Sequence, residues 1–328
     1  MKKSKKALLK ILNGAFSRMG EHNLMSSAAA IAFYTIFSLP GLLITIVMVA
    51  GLFLGEEAVK GELASQIEGL MGATAAETIQ TILTNIELTG SGPLGTAIGV
   101  GTLLFSATTV FITLQDALNT TWEVKAKPKK GWLKFLINRM MSLGMIISMG
   151  FILVVSLLSD ALLTLLMDEL EVVLGPTSAH IIEVLSSVVT TAVVILLFAL
   201  IFKMLPDVYL KWKQVWMGAL ITAGLFILGK FLIGFYIGQS DFSATYDTAG
   251  STILILVWVY YSTVTVLVGA EITRSIILYT GEVIEPSSGA VKVKLKEMEV
   301  QDGQYVVTGH SENEYKDLNK DEDSSTGH

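Results

Sequence analysis

Lys230 is the only charged residue in Gln214–Ser240. An ammonium group in an apolar run faces a bundle interior, where it can hold an anion, or snorkels to the headgroups on its flexible stem. It stands about eight residues, ~12 Å, from the expected outer end of its helix. Gly234 follows one turn on and Thr222 precedes it by two, a spacing that suits a packed face. Gln115, Asp116 and Asn119 close another apolar run, and Gln115 and Asn119 share one helical face. They can line a gate or satisfy the polar end of a helix. Glu271 and Arg274, three residues apart, read as an interfacial ion pair or as a site for proton or cation coupling. Tyr34, Thr35 and Ser38 precede Pro40, whose missing N–H frees a carbonyl one turn earlier. Those hydroxyls either repair the bend or help expose carbonyls to an ion or substrate. The expected binding set is Lys230, Tyr34, Ser38, Gln115, Asp116, Asn119 and Glu271, with Pro40 and Gly234 as structural and gating positions.

Hydrolytic chemistry has little to build on. The four histidines (His22, His180, His310 and His328) are scattered, whereas a metal-dependent hydrolase needs clustered histidines and carboxylates. Cysteine is absent, which removes thiolate ligands, thiol nucleophiles and disulfides. No phosphate-binding glycine loop, His-Glu-x-x-His or Gly-x-Ser-x-Gly is present. No enzyme, cofactor or metal is expected.

The elements that must position these residues are long and greasy. No charged residue occurs in 23–55, 88–115, 140–159, 184–202 or 248–270, and 214–240 has Lys230 alone. Each stretch is long enough for a helix to cross a hydrocarbon core of ~30 Å. Across 328 residues the chain is 52% hydrophobic and 16% charged, with a mean hydropathy of +0.62. Barrel strands would alternate, and these runs do not. The fold class is therefore all-α, a polytopic membrane protein with a six-helix transmembrane bundle.

Charge sets its orientation. The segments 1–30, 123–139 and 203–213 carry fifteen lysines and arginines, while 56–87, 160–183 and 241–247 carry Lys60 alone against thirteen acids. Basic residues stay on the cytoplasmic face, so both termini are expected there. The first apolar run is too long for a signal peptide and contains Pro40.

Three domains follow. Residues 1–27 form a cytoplasmic interfacial helix in which Leu8, Leu12, Ala15 and Met19 recur opposite lysines suited to anionic headgroups. Residues 28–282 are the transmembrane domain, with a helical extracytoplasmic connection at 56–87 that Thr74-Ala-Ala-Glu77 punctuates as a capping box. Residues 283–328 hold ten acids and five lysines and read as a polar, mostly disordered cytoplasmic tail, with a short hairpin pairing 291–296 with Tyr305–Val307. Trp122, Trp132, Trp212 and Trp216 are expected in an aromatic belt.

Three passages resemble the YihY/BrkB family of bacterial inner-membrane proteins, once mislabelled ribonuclease BN. They are Ala28–Pro40 (AAAIAFYTIFSLP), Leu114–Trp122 (LQDALNTTW), and the series Leu205-Pro206, Gly218-Ala219, Gly229-Lys230, Tyr236, Tyr246 and Trp258 to Glu271. Order and spacing match over roughly residues 5–280. The chain departs at Tyr246-Asp247-Thr248, where the family has Tyr-Gly-Ser. The resemblance implies six helices with both ends in the cytoplasm. It also implies links to envelope lipid traffic, serum resistance or cation exchange.

These readings favour a transporter of an amphipathic or anionic envelope component in the bacterial inner membrane. The alternatives are a non-transporting scaffold that recruits envelope partners through 56–87, and a cation/proton antiporter resting on Glu271 and Asp116. Expected partners are membrane lipids and, in a homo-oligomer, further copies of the chain. Nucleic acid is not expected, because the positive-inside bias accounts for the basic loops.

Overall fold

With no water to satisfy backbone groups, an apolar run folds as helix. The computed structural model describes residues 2–71, 73–85, 109–127, 140, 144, 177–239, 248–294, 298–301 and 304–307. Its helices are α1 (Lys2–Glu21), α2 (Leu24–Leu54), α3 (Glu56–Met71), α4 (Ala73–Asn85), α5 (109–121), α6 (Thr177–Met204), α7 (Trp212–Gln239) and α8 (Thr248–Tyr279). Four of them, α2, α6, α7 and α8, are long and apolar enough to cross a membrane. The second and third expected spans lie largely outside the described residues, apart from helical 109–121, 140 and 144.

α8 is the hub and packs against α1, α2, α4 and α7. Its contact with α7 is close because two glycines leave room for side chains of the opposite helix. A Cβ on Gly229 would fall 1.8 Å from the Tyr261 hydroxyl, which donates to the Leu225 carbonyl at 2.6 Å. A Cβ on Gly269 would fall 2.0 Å from Thr222 Oγ1. Small residues at such crossings let backbones approach, which is how helices associate where lipid is as apolar as leucine. α6 and α7 form an antiparallel hairpin, joined by Phe198 edge-on to Phe226 with ring centroids 5.7 Å apart.

One end of the bundle gathers α1, the C-terminal ends of α5, α6 and α8 and the start of α7; it is called the basic end here. Short strands tie its loops together. β1 (Val124–Ala126) pairs with β4 (Ala290–Lys292), and β2 (Val208–Tyr209) runs antiparallel to β3 (Glu285–Pro286). The backbone N–H of Ser287 donates to Asp207 O at 2.9 Å, and that of Lys127 to Gly289 O at 2.7 Å. The chain from 283 to 291 thus belongs to the first compact unit, Met1–Val291. The expected tail boundary at 283 moves, because this segment has ladder partners in loops remote in sequence. The second unit, Lys292–His328, contains a hairpin of β5 (Met298–Gln301) and β6 (Gln304–Val307), with Val300 opposite Tyr305. The partner of Tyr305–Val307 is 298–300, not 291–296.

Two further expectations change. α1 does more than lie on headgroups, since Ala15 is buried and the helix packs on α8. Trp122 is 1% exposed and sits in the protein core, not in an aromatic belt, whereas Trp212 and Trp216 are exposed. Trp132 lies outside the described residues. α2 runs unbroken from Leu24 to Leu54 with Pro40 inside it. Nearby hydroxyls bond locally, Thr35 Oγ1 to Ile31 O at 2.8 Å and Ser38 Oγ to Thr35 O at 3.3 Å. Both hydroxyls bond back within their own helix, and neither goes to the Ile36 carbonyl that Pro40 leaves without its helical donor.

Candidate functional site

Two residues, His22 and Asn23, separate α1 from α2, and Asn23 takes the left-handed conformation (φ +50°) that a tight reversal requires. This turn delivers His22 and, one turn earlier, Arg18 to the side of α8. Glu271 on α8 is wholly buried. His22 Nδ1 hydrogen-bonds its Oε1, and Arg18 Nε donates to its Oε2 at 3.3 Å. Arg18 also donates to Ser275 Oγ, and Ser275 Oγ donates to the Glu271 carbonyl at 2.7 Å.

The same cluster extends through Glu123. Arg274 Nη2 lies 2.6 Å from Glu123 Oε2, and His22 Nε2 lies 3.9 Å from Glu123 Oε1. Glu123 ends α5 in the left-handed region (φ +52°). That conformation costs a non-glycine residue ~1–3 kcal/mol and persists where surroundings enforce it. Here the Arg274 pair and the bond from Glu123 N–H to Thr120 O (3.0 Å) do so. The two carboxylates and two guanidinium groups balance in charge around one imidazole. Glu271 and Arg274 are therefore not partners of each other: each pairs with a residue brought from another element.

A second polar cluster adjoins. Asn119 Nδ2 donates to Asp207 Oδ2 at 2.9 Å, and the Asp207 backbone N–H donates to Asn119 Oδ1 at 2.7 Å. Gln115 Nε2 reaches Asp207 Oδ1 at 3.5 Å. The shared face of Gln115 and Asn119 is thus used to clamp the loop between α6 and α7, with both residues buried. Asp116, on the same helix, is exposed. Gln214 and Lys211 at the start of α7 hold Glu282 at 2.7 and 3.2 Å. The hydrogen bond and charge of Lys211 hold the Glu282 carboxyl below its ordinary range.

Lys230 has the opposite setting. It lies 18 residues, ~27 Å, along α7 from Trp212 and is half-buried. Among the described residues no hydrogen bond or ion pair engages its ammonium. Gly234 lies one turn further in the same helix. Tyr34 is exposed and stacks edge-on with Phe33, while Ser38 is buried, so the two do not present one polar surface. The structure brings Gln115, Asn119 and Glu271 to the basic end and leaves Lys230 far from them. Among the described residues no cluster of histidines and carboxylates is arranged to hold a metal.

Sequence reasoning missed Arg18, His22, Glu123 and Asp207. The available signal was positional: His22 borders the apolar run 23–55, and Arg18, Glu123 and Asp207 lie within eight residues of an apolar run, where a helix end must be satisfied.

A family model described as "Virulence factor BrkB" matches residues 15–289. The chain belongs to the BrkB family. A UPF0761 membrane protein of Photobacterium profundum is 30% identical to this BrkB protein, over 85% of this chain and 86% of the relative. UPF0761 membrane proteins of Ralstonia nicotianae and Pseudomonas aeruginosa are 24% and 25% identical, over 80% and 75% of this chain. The matches span 57% of the length of each of those two relatives. No solved structure matches the chain. Four membrane-length helices and these relatives make it an integral membrane protein.

Proposed function

We propose that this BrkB protein is a six-span transporter of the bacterial inner membrane whose cargo is an amphipathic, anionic envelope component. The observation that carries the reading is Lys230. Lys230 lies within the apolar span Trp212–Ile233, toward the end away from Trp212, and an ionisable group inside a spanning segment marks a substrate path or an internal pair. The other charges drawn into the helical bundle have partners; Lys230 has none among the described residues. An anionic headgroup supplies the missing charge. The basic end, where the lysines and arginines gather, is then cytoplasmic, and its two polar clusters close that side of the bundle.

The reading is tested with purified protein in vesicles containing fluorescent phosphatidylglycerol or phosphatidylcholine, where a membrane-impermeant reductant reports leaflet exchange. Phosphatidylglycerol should exchange faster with the protein than without it, and Lys230→Met should abolish the gain. A variant lacking 58–86 should retain it, because the rival scaffold role rests on the α3–α4 connection. No acceleration in the intact protein would overturn the transport reading. The cation/proton reading is supported less, since Glu271 is closed in by Arg18 and His22 and Asp116 stands exposed on another helix.

A further inference from the structure

His22 lies in the turn between α1 and α2 and touches both α8 and the residue that ends α5. Its side chain is 2% exposed, and that of Glu271 is wholly buried. Nδ1 hydrogen-bonds Glu271 Oε1, while Nε2 faces Glu123 Oε1 at 3.9 Å. Both ring nitrogens are therefore directed at carboxylate oxygens, and a carboxylate only accepts.

A neutral imidazole carries one N–H. With that proton on Nδ1, toward Glu271, the lone pair of Nε2 faces the Glu123 oxygen, and two buried acceptors stand opposite each other. An imidazolium donates from both nitrogens and joins the two carboxylates. The charged groups around the ring come from three elements: Glu271 and Arg274 from α8, Glu123 from the end of α5, and Arg18 from α1. α2 brings no charged residue. Those four groups sum to zero, so a proton on the ring makes the cluster a cation. Charge balance and hydrogen bonding thus ask for different states of the ring.

The proton has a route. The Glu123 side chain is 27% exposed, so water reaches the carboxylate that faces Nε2. Through its other oxygen Glu123 holds Arg274 Nη2 at 2.6 Å. Arg274 Nε and Nη1 are buried without a hydrogen-bond partner among the described residues, which leaves Glu123 as the anchor of that guanidinium. The backbone of Glu123 is left-handed (φ +52°) and must be enforced by its surroundings. What grips its side chain therefore decides how firmly α5 ends.

We infer that His22 is a proton-binding site that locks the α1–α2 turn to α8 and to the end of α5. Proton uptake from water through Glu123 places an N–H on Nε2, which draws Glu123 Oε1 onto the ring while Nδ1–H stays on Glu271. Proton loss by the same route leaves the Glu271 bond and frees the end of α5 from the turn. The junction tightens as the solution at the basic end turns acid and loosens as it turns alkaline. The proton enters and leaves on one side, so this site is separate from any transport path and independent of Lys230.

The test uses full-length protein in lipid vesicles with His180, His310 and His328 replaced by Gln, which leaves His22 as the single histidine. Solid-state NMR of isotope-labelled imidazole nitrogens reads its protonation directly. From about pH 5.5 to about pH 8.5 the ring should pass from imidazolium to a neutral ring protonated at Nδ1. A ring that stays neutral or stays charged over that range would overturn the proposal, as would a neutral ring protonated at Nε2. Glu123→Gln should move the transition to lower pH. Arg274→Gln, which frees Glu123 for the ring, should move it to higher pH. Shifts in one direction, or none, would refute the Glu123 contact. Melting curves verify that both variants fold, and the parent titration decides the proposal without them.

The lock is read separately. The chain has no cysteine, so Ser17→Cys and Lys125→Cys, both at exposed positions, carry spin labels without background. The distribution of distances between the labels, read by electron paramagnetic resonance, should broaden as pH rises through the transition. His22→Gln should remove that dependence. Equal distributions at the two ends of the pH range in the parent would refute the lock.

Discussion

The two ends of α7 treat charge in opposite ways. At its start, Lys211, Gln214 and Glu282 bond to one another within a platform that also holds the Asp207 clamp and the Glu271 cluster. Eighteen residues on from Trp212, Lys230 stands in an apolar run with no such partner among the described residues. Charge buried with partners serves mainly to fix which helices meet.

The contrast should be easiest to break at Glu271. Removing one member of a buried, paired cluster leaves its partners uncompensated and costs ~3–5 kcal/mol. Glu271→Ala should therefore lower the melting temperature in detergent by many degrees and release α1, read as faster proteolysis near Arg18. Glu271→Gln, which keeps hydrogen bonding, should cost less.

Next comes packing where the membrane half has no charge to spare. Gly229→Ala forces Tyr261 to move, and overpacking of this kind costs ~1–3 kcal/mol. The double variant Gly229→Ala, Tyr261→Leu should recover part of the loss, because the shorter side chain removes Cζ and the hydroxyl, each 1.8 Å from the new methyl. Equal melting temperatures for the single and double variants would contradict this.

A smaller effect belongs to Glu282, at the exposed rim of the platform. Lys211 depresses its carboxyl, so the folded protein binds that proton less readily than the unfolded chain does. Its contribution is fully present above the unfolded value near 4.5 and is lost as pH falls through the lower folded value. Melting curves taken from neutral to acid pH should show a slightly smaller decline for Glu282→Gln than for the parent.

The smallest stability effect is expected at Lys230. With no partner to orphan among the described residues, Lys230→Met should leave the melting temperature unchanged or raise it. A clear drop would mean that the ammonium has a structural role, and the two ends of α7 would then be alike.

Much of the fold was legible because lipid imposes a one-dimensional rule. A spanning segment must be apolar for its whole length, so α2, α6, α7 and α8 could be placed within a few residues from composition alone. The lone lysine of α7 could be picked out for the same reason. Glycine positions were visible, but which side chains they admit was not: Gly229 takes Tyr261, thirty-two residues away in the chain. The platform strands β1 to β4 are too short to leave a periodic signal, so the segment after α8 read as tail.

Sequence by itself determined the solvent, the spanning elements and the side on which basic residues collect, because each depends on local hydropathy and charge. Only the tertiary structure decided which charges are satisfied. His22 meets Glu271 across 249 residues, Asn119 meets Asp207 across 88, and Glu271 and Arg274, neighbours on one helix, turn to different partners. A side chain's spacing along a helix fixes the face it occupies. The groups waiting opposite that face are chosen by how helices cross, and hydropathy carries no record of the crossing.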